Sequence, residues 1–130
     1  MKMNIFFTIF FSTMSILMAD PPNWQDDPGA YEFVATIAGG IILSEGVNIA
    51  ETGDIFAAFD ANDNVRGVAV QLNPEFGPYL GQIVYEMSLR SNAAGDLLHF
   101  KYYDASEDAV LNIAETYNFE INDILGSLVA

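Results

Sequence analysis

The sequence has no cysteine and a single histidine, His99, and this composition excludes several classes of catalytic and metal site. Without thiols there can be no disulfide bond, no thiol catalysis, no thiolate zinc site and no iron–sulfur cluster. One histidine cannot form a histidine metal cluster, and a Ser-His-Asp triad would have to use His99 itself. The alternating pattern around His99 indicates a surface strand residue instead. The fold must therefore be held by core packing, with or without a bound metal.

Basic residues are also scarce. Only Arg66, Arg90 and Lys101 follow residue 19, and all eighteen carboxylates lie in the same part of the chain, which gives that part a net charge of −15. Such a surface repels phosphate backbones and anionic lipid headgroups, which excludes nucleic acid as a partner and disfavours anionic membranes. No Gly-x-Ser-x-Gly elbow, phosphate loop or dinucleotide fingerprint is present. The frequent aromatic and β-branched residues indicate a folded domain rather than a disordered chain.

The first nineteen residues have the layout of a secretory signal peptide. A short basic start precedes an apolar run from Ile5 to Met18, and Ala19 supplies a small residue before the expected cut. The run is short for a bilayer span, which takes about twenty apolar residues, and an uncleaved membrane anchor is the alternative. We therefore predict a secreted, extracellular protein without a membrane span in its mature form. Its parts are a signal peptide (1–19), an N-terminal extension (20–29) and one domain (30–130).

After residue 29 the chain reads with the two-residue period of half-buried strands. The predicted strands are 31–37, 41–43, 55–59, 65–72, 83–90, 97–103, 109–111 and 117–121. Gly39-Gly40 interrupts the first of them, polar turns separate the others, and weak helical spacing is found only near 124–129. Seven or eight short strands at this spacing predict an all-β fold, an antiparallel β-sandwich of immunoglobulin-like or jelly-roll-like type. A small barrel is the alternative.

Two acidic loops carry the oxygen ligands that calcium prefers. The candidate ligands are Asp60, Asn62, Asp63, Asn64, Asp104 and Asp108. The register of an EF-hand fails, because Val65 stands where glycine is required and Gln71 where the bidentate glutamate belongs. A hydrogen-bonded turn in each loop is the alternative, since Asp and Asn side chains bond to their own main chain. Calcium is the one candidate cofactor.

Three aromatic residues, Trp24, Phe76 and Tyr79, fall in predicted loops rather than on the core-facing rows of strands. Exposed rings of this kind can stack on sugar faces, with nearby carboxylates and amides bonding the hydroxyl groups. The alternative is that they cap the ends of the sandwich core. A glycan is therefore a candidate ligand.

Two stretches carry the motifs on which a resemblance to a known module depends. Residues 53–69 contain GDIFAAFD followed by RGVA, and residues 95–105 read GDLLHFKYYDA. They resemble a β-sandwich module of unassigned activity found, often in tandem, in secreted proteins of marine and other aquatic microbes. The resemblance covers about Trp24 to Ile121 and implies a sandwich fold but no established activity. This chain departs from the tandem pattern because it holds one copy of the unit.

The position of Arg66 directly after an acidic loop predicts an ion pair with Asp54 or Asp60. Taken with the single module, the export signal and the lack of catalytic motifs, the pattern predicts a non-enzymatic protein of extracellular assembly or adhesion. It would be a subunit of a filament, coat or matrix, with further copies of itself or other extracellular proteins as partners. The alternative is a carbohydrate-binding module that uses the loop aromatics.

Overall fold

The computed structural model describes residues 3–8 and 21–126, and the backbone of these residues is almost entirely β-structure. A single 3-10 turn, Pro28–Ala30, precedes the domain. The strands of the described residues are β1 (Met3–Thr8), β2 (Phe33–Ser44), β3 (Val47–Asn48), β4 (Ile55–Phe59), β5 (Val65–Val68), β6 (Val70–Leu72), β7 (Val84–Ser91), β8 (Leu97–Asp104), β9 (Ala109–Asn118) and β10 (Ile124–Leu125). Within these ranges no helix has the length and apolar character needed to cross a membrane.

The strands form two sheets that pack face to face. The first sheet has the order β6–β7–β2, with the short strands β3 and β10 also paired to β2, and the second has the order β5–β4–β8–β9. Every pairing inside the two sheets is antiparallel except that of β10 with β2. The predicted all-β class and antiparallel sandwich are confirmed.

The core follows directly from the two-residue period of the strands. In β7, for example, Tyr85, Met87 and Leu89 are buried while Glu86 between them is exposed. The residues that form the core cluster are Ala35, Ile37, Ile42, Phe56, Ala58, Tyr85, Met87, Leu89, Leu98, Phe100, Tyr102, Leu111, Ile113 and Phe119. Each large side chain buried in this way contributes about 1.5–3 kcal/mol, so packing can hold the domain without disulfides.

One chain segment crosses from the second sheet to the first. β5 pairs with β4 and the following β6 pairs with β7, and the predicted single strand 65–72 is therefore split at Ala69. The crossing brings the backbone of Gly67 against β7. A Cβ atom at Gly67 would lie 2.9 Å from the sulfur of Met87 and nearer still to the carbonyl oxygen of Ser88. Only glycine fits at this position.

β1 joins the two sheets on their other side. It runs parallel to β2 from Met3, opposite Gly40, and then antiparallel to β9, with Thr8 opposite Asn112. β1 lies within the predicted signal peptide, of which residues 1–2 and 9–19 are outside the described residues, as are residues 127–130. Part of the predicted signal segment, residues 3–8, is therefore built into the described fold.

Three local predictions differ from the structure. Gly39-Gly40 does not interrupt the strand, because β2 continues through a shift of register between Ile37 and Gly40. The predicted strands 109–111 and 117–121 are replaced by the single strand β9, which ends at Asn118. Ile124 and Leu125 form a short strand rather than the start of a helix. The predicted turn after Ser44 is confirmed, with the positive φ values of a hairpin turn at its two central residues.

Candidate functional site

The polar residues of the two stretches 53–69 and 95–105 form two clusters at opposite ends of the β4–β8 strand pair. The first cluster is built around Asp54, which precedes β4 and is only 6% exposed. Its carboxylate accepts hydrogen bonds from the hydroxyl of Tyr102 (2.6 Å), the amide of Ala105 (2.8 Å) and the amide of Glu51 (3.0 Å). These three bonds tie the start of β4 to β8 and to the loop that follows β8. They also satisfy a buried charge that would otherwise cost several kcal/mol.

The same cluster continues across the core. The hydroxyl oxygens of Tyr102 on β8 and Tyr85 on β7 are 2.8 Å apart, and the side-chain amide of Gln71 donates to Tyr85 (2.9 Å) and to the carbonyl of Glu51 (2.7 Å). Burial raises the pKa of both tyrosines, so both hydroxyls stay protonated at neutral pH. A continuous polar link therefore joins the two sheets through an otherwise apolar core.

The sequence did not reveal this link. In the sequence Gln71 is notable only because it does not fit the EF-hand pattern. In the fold its side-chain amide donates hydrogen bonds to Tyr85 and to the 51–54 turn. A usable signal was present, since Tyr85 and Tyr102 occupy core-facing positions of alternating strands. A buried tyrosine hydroxyl needs a hydrogen-bonding partner, which a phenylalanine would not.

The second cluster is built around Arg66 on β5. The guanidinium Nε donates to Asp60 (3.0 Å), and Nη1 lies 3.4 Å from Asp96 and donates to the carbonyl of Arg90 (3.1 Å). The guanidinium also lies over the ring of Tyr31, 4.3 Å from its centre. The predicted pairing of Arg66 with Asp60 is confirmed, while Asp54, the other predicted partner, belongs to the first cluster. Arg66 thus joins the start of the domain, the β4–β5 hairpin and β7.

Asp60 also organises its own loop. Its carboxylate accepts bonds from the amides of Asn62 (2.9 Å) and Asn64 (3.0 Å) and from the side-chain amide of Asn64 (3.1 Å). Burial raises the pKa of Asp60, but these bonds and the one from Arg66 outweigh burial and hold the pKa below its usual value of 3.8. Asp60 is therefore a carboxylate at neutral pH with most of its acceptor capacity in use.

The remaining candidate calcium ligands lie on two separate loops. Asp63 takes a positive φ and its carboxylate lies 3.1 Å from His99 Nε2 and 3.3 Å from Lys101 Nζ. On the β8–β9 loop Asp104 accepts bonds from Ser106, and Asp108 accepts one from the Tyr103 hydroxyl (2.7 Å).

The two loops do not form a joint site, because they lie at opposite ends of the β4–β8 pair. Over the described residues, no three His, Asp or Glu side chains converge in a way that could hold a metal ion. Each loop has the hydrogen-bonded geometry that the turn interpretation predicts, and calcium binding by either loop alone stays a prediction.

The aromatic candidates are likewise divided between two ends of the molecule. Trp24 lies against Phe59, the last residue of β4, with ring centres 5.1 Å apart in an edge-to-face contact. Phe76 and Tyr79 belong to the β6–β7 loop, at the end where β7 begins. Phe76 is 83% exposed, while Tyr79 is partly buried. Trp24 therefore does not share a stacking surface with the other two rings.

His99 lies on the outer face of β8, as the alternating pattern predicts. The His99 ring stacks on the Phe59 ring with 5.8 Å between the ring centres. Lys101 Nζ lies 4.8 Å from the centre of the Phe59 ring. The contacts of His99 are thus one aromatic ring and the exposed carboxylate of Asp63. This arrangement packs the outer face of the sheet.

The N-terminal extension is fastened to the domain as well. Trp24 covers Phe59, and two residues later Asp26 forms a two-pronged ion pair with Arg90, with both N–O distances 2.7 Å. This ion pair holds the segment before the domain against β7.

Comparison of the chain with models of known protein families, with curated proteins and with solved structures finds no match. The arrangement of the side chains is therefore the basis for a functional proposal. Its main feature is that the conspicuous polar residues of the motifs bond to one another and to the main chain. Large apolar side chains are left exposed elsewhere, and their positions are Val47, Val70, Phe76, Leu80, Leu97, Ile121 and Ile124.

Proposed function

We propose that this chain is an exported, non-enzymatic sandwich that acts by assembling with further copies of itself, as a subunit of an extracellular filament, coat or matrix. The observation that carries the proposal is the end of the sandwich formed by β3 and the β6–β7 loop. Three large apolar side chains, Val47, Phe76 and Leu80, are more than 60% exposed there. Large apolar side chains that are exposed at one end of a domain offer a site for protein–protein contact.

This end of the molecule is held in shape by hydrogen bonds. The side-chain amide of Asn48 donates to the carbonyl of Ile83 (3.0 Å) and to the side chain of Gln82 (3.2 Å), which fastens the β3 hairpin to the β6–β7 loop. Apolar side chains on a fixed scaffold lose little conformational entropy when they are buried by a partner. The exposed residues are therefore suited to a specific contact.

The roles of the motif residues favour the same function. Asp54, Asp60, Arg66 and Tyr102 all bond to groups within the domain and hold strands together. A module whose recurring motifs build its own fold can vary its surface freely. This suits a structural unit better than an enzyme, in which recurring polar residues face a substrate.

Sedimentation and light scattering of the exported protein at high concentration test the proposal. We expect concentration-dependent association that weakens in Phe76→Ser and in Leu80→Ser. Leu97→Ser is the matched control, because Leu97 is also an exposed leucine (53%) but lies beside Asp96 at the other end of the domain. A strict monomer with and without calcium, together with no partner in pull-downs, would contradict assembly.

A carbohydrate-binding module is the second candidate, and the exposure of Phe76 in the same loop as Tyr79 favours it. Binding on a glycan array that is lost in Phe76→Ala and retained in Trp24→Ala would support this candidate. A glycan array without signal for the parent protein would remove it.

A further inference from the structure

β1 occupies a space one strand wide between the two sheets. Its first residues pair with β2 and its last two pair with β9. Among the described strands β2 and β9 do not pair with each other, and β1 covers part of an edge of each.

The predicted cleavage after Ala19 would remove β1 from the exported protein. Apart from β1, the only described strand that pairs with β9 is β8, so no described strand would then pair with its other edge. Ile113, opposite Phe7 of β1, is 6% exposed with β1 in place and lies on this edge. Export would therefore uncover both main-chain hydrogen-bonding groups and apolar surface.

β9 has few of the features that usually protect an edge strand, and the one present is a shift of register against β8 between Asn112 and Thr116. Its ten residues, Ala109–Asn118, contain no proline and no glycine, and Glu115 is the only charged residue. Protected edges are commonly short, or carry lysine or proline. In an exported protein of net charge −15, β9 is also among the segments with the least charge to repel an identical neighbour.

From these features we infer that β9 is the contact strand of a dimer in the exported protein, where it pairs antiparallel with β9 of a second copy about a twofold axis. The four-stranded sheets β5–β4–β8–β9 of the two copies become one continuous sheet. In the full chain β1 covers the β9 edge at Asn112 and Ile113, so contact between copies is prevented until the signal segment is removed. The inference rests on the proposed function, to which it adds a second contact, separate from the exposed residues at β3 and the β6–β7 loop, and the symmetry of that contact.

The absence of native cysteine makes the contact directly testable by crosslinking. Ala114 lies in the middle of β9 and is exposed, so its two copies would lie close to the twofold axis. Under oxidising conditions most of the exported Ala114→Cys protein should become a disulfide-linked dimer. Ala94→Cys, on the exposed turn between β7 and β8, is the matched control and should not form a disulfide-linked dimer. Ala114→Cys combined with Ala19→Gln, which removes the small residue that cleavage requires, should crosslink poorly.

A second pair of variants measures the association itself. Ala114→Lys places two like charges near the axis and should weaken dimerisation by at least about tenfold in sedimentation velocity. Ala94→Lys changes the net charge equally and should not weaken it. If both lysine variants associate as the parent does, and Ala114→Cys does not crosslink, the β9 contact is refuted while assembly stands. If the parent is monomeric at every concentration, the proposed function and this contact both fail.

Discussion

Gly67 offers a sharp test of the sandwich because its lack of a side chain lets the strand that crosses between sheets approach β7. A Cβ at this position would lie 2.9 Å from the sulfur of Met87 and closer to the carbonyl oxygen of Ser88. Ordinary contacts between carbon and its neighbours are about 3.5–4.0 Å, so Gly67→Ala must push β5 and β7 apart by up to about 1 Å. One of the obstacles is main chain, which cannot turn aside as a flexible side chain can.

The expected magnitude follows from two opposing terms. Replacing glycine by alanine within a strand gains about 0.5–1 kcal/mol by restricting the unfolded chain. Overpacking a core costs about 1–3 kcal/mol, and the high end applies here because backbone must move. We therefore expect Gly67→Ala to lower the free energy of unfolding by about 2 kcal/mol, which corresponds to a decrease in Tm of about 8–16 °C for a domain of this size.

Thermal and denaturant unfolding followed by circular dichroism would measure this change. Gly29→Ala is the control, since no atom lies within 4 Å of where its Cβ would be, and it should change the stability by no more than about 0.5 kcal/mol. If Gly67→Ala melts within about 2 °C of the parent, the close approach of β5 to β7 does not exist and the described crossing is wrong.

Four further predictions address the polar clusters and the charge. Arg66→Met should destabilise the domain by about 1–3 kcal/mol, between the values for exposed and buried ion pairs, in denaturant unfolding at neutral pH. Because the folded state lowers the pKa of Asp60, the stability this group provides is present above about pH 4 and is lost as the pH falls further. The bonds from Asn64 and Asn62 lower this pKa more than the bond from Arg66 does, so the acid titration of stability should keep most of its slope in Arg66→Met, and a slope that vanishes would contradict this order. Tyr102→Phe removes a donor from a buried carboxylate and should cost about 1–3 kcal/mol, more than Tyr103→Phe, whose hydroxyl bonds to the Asp108 loop. Sodium chloride raised from millimolar to about half molar should increase the denaturant midpoint by screening the excess negative charge, and a decrease would show that the ion pairs dominate. If either acidic loop binds calcium, excess chelator should lower Tm, since ligand at a hundred times its Kd adds about 2.7 kcal/mol, whereas an unchanged melting curve leaves the loops as turns.

The fold class could be predicted because alternation and turn chemistry are local properties. The strand from Val84 to Ser91 follows directly from alternating Tyr85, Met87 and Leu89, and the acidic loops turn where Asp63 and Asp108 take positive φ. The extent of β2 could not be predicted, because Gly39-Gly40 is equally compatible with a break and with a bulge. The choice between a break and a bulge is made by the pairing of β2 with β7, which lies much later in the chain.

The polar clusters were only partly predictable for a different reason. Asp60 and Arg66 are six residues apart on one hairpin, so their pairing could be anticipated from a loop and the strand that leaves it. Asp54 and Tyr102 are separated by 48 residues, and no local spacing connects them. The position of β1 could not be anticipated either. Its apolar residues are compatible both with an export signal and with a buried strand.

The contact of Trp24 with Phe59 has a consequence for how unfolding of this protein is observed. Trp24 is the only tryptophan, and it lies in the segment before the domain, fastened there by its own ring and by the Asp26–Arg90 pair. Intrinsic fluorescence therefore reports the detachment of this segment, whereas far-ultraviolet dichroism reports the sheets. If the segment is released first, the two optical transitions will separate, and the separation would reflect a peeling N-terminal arm rather than an intermediate of the sandwich.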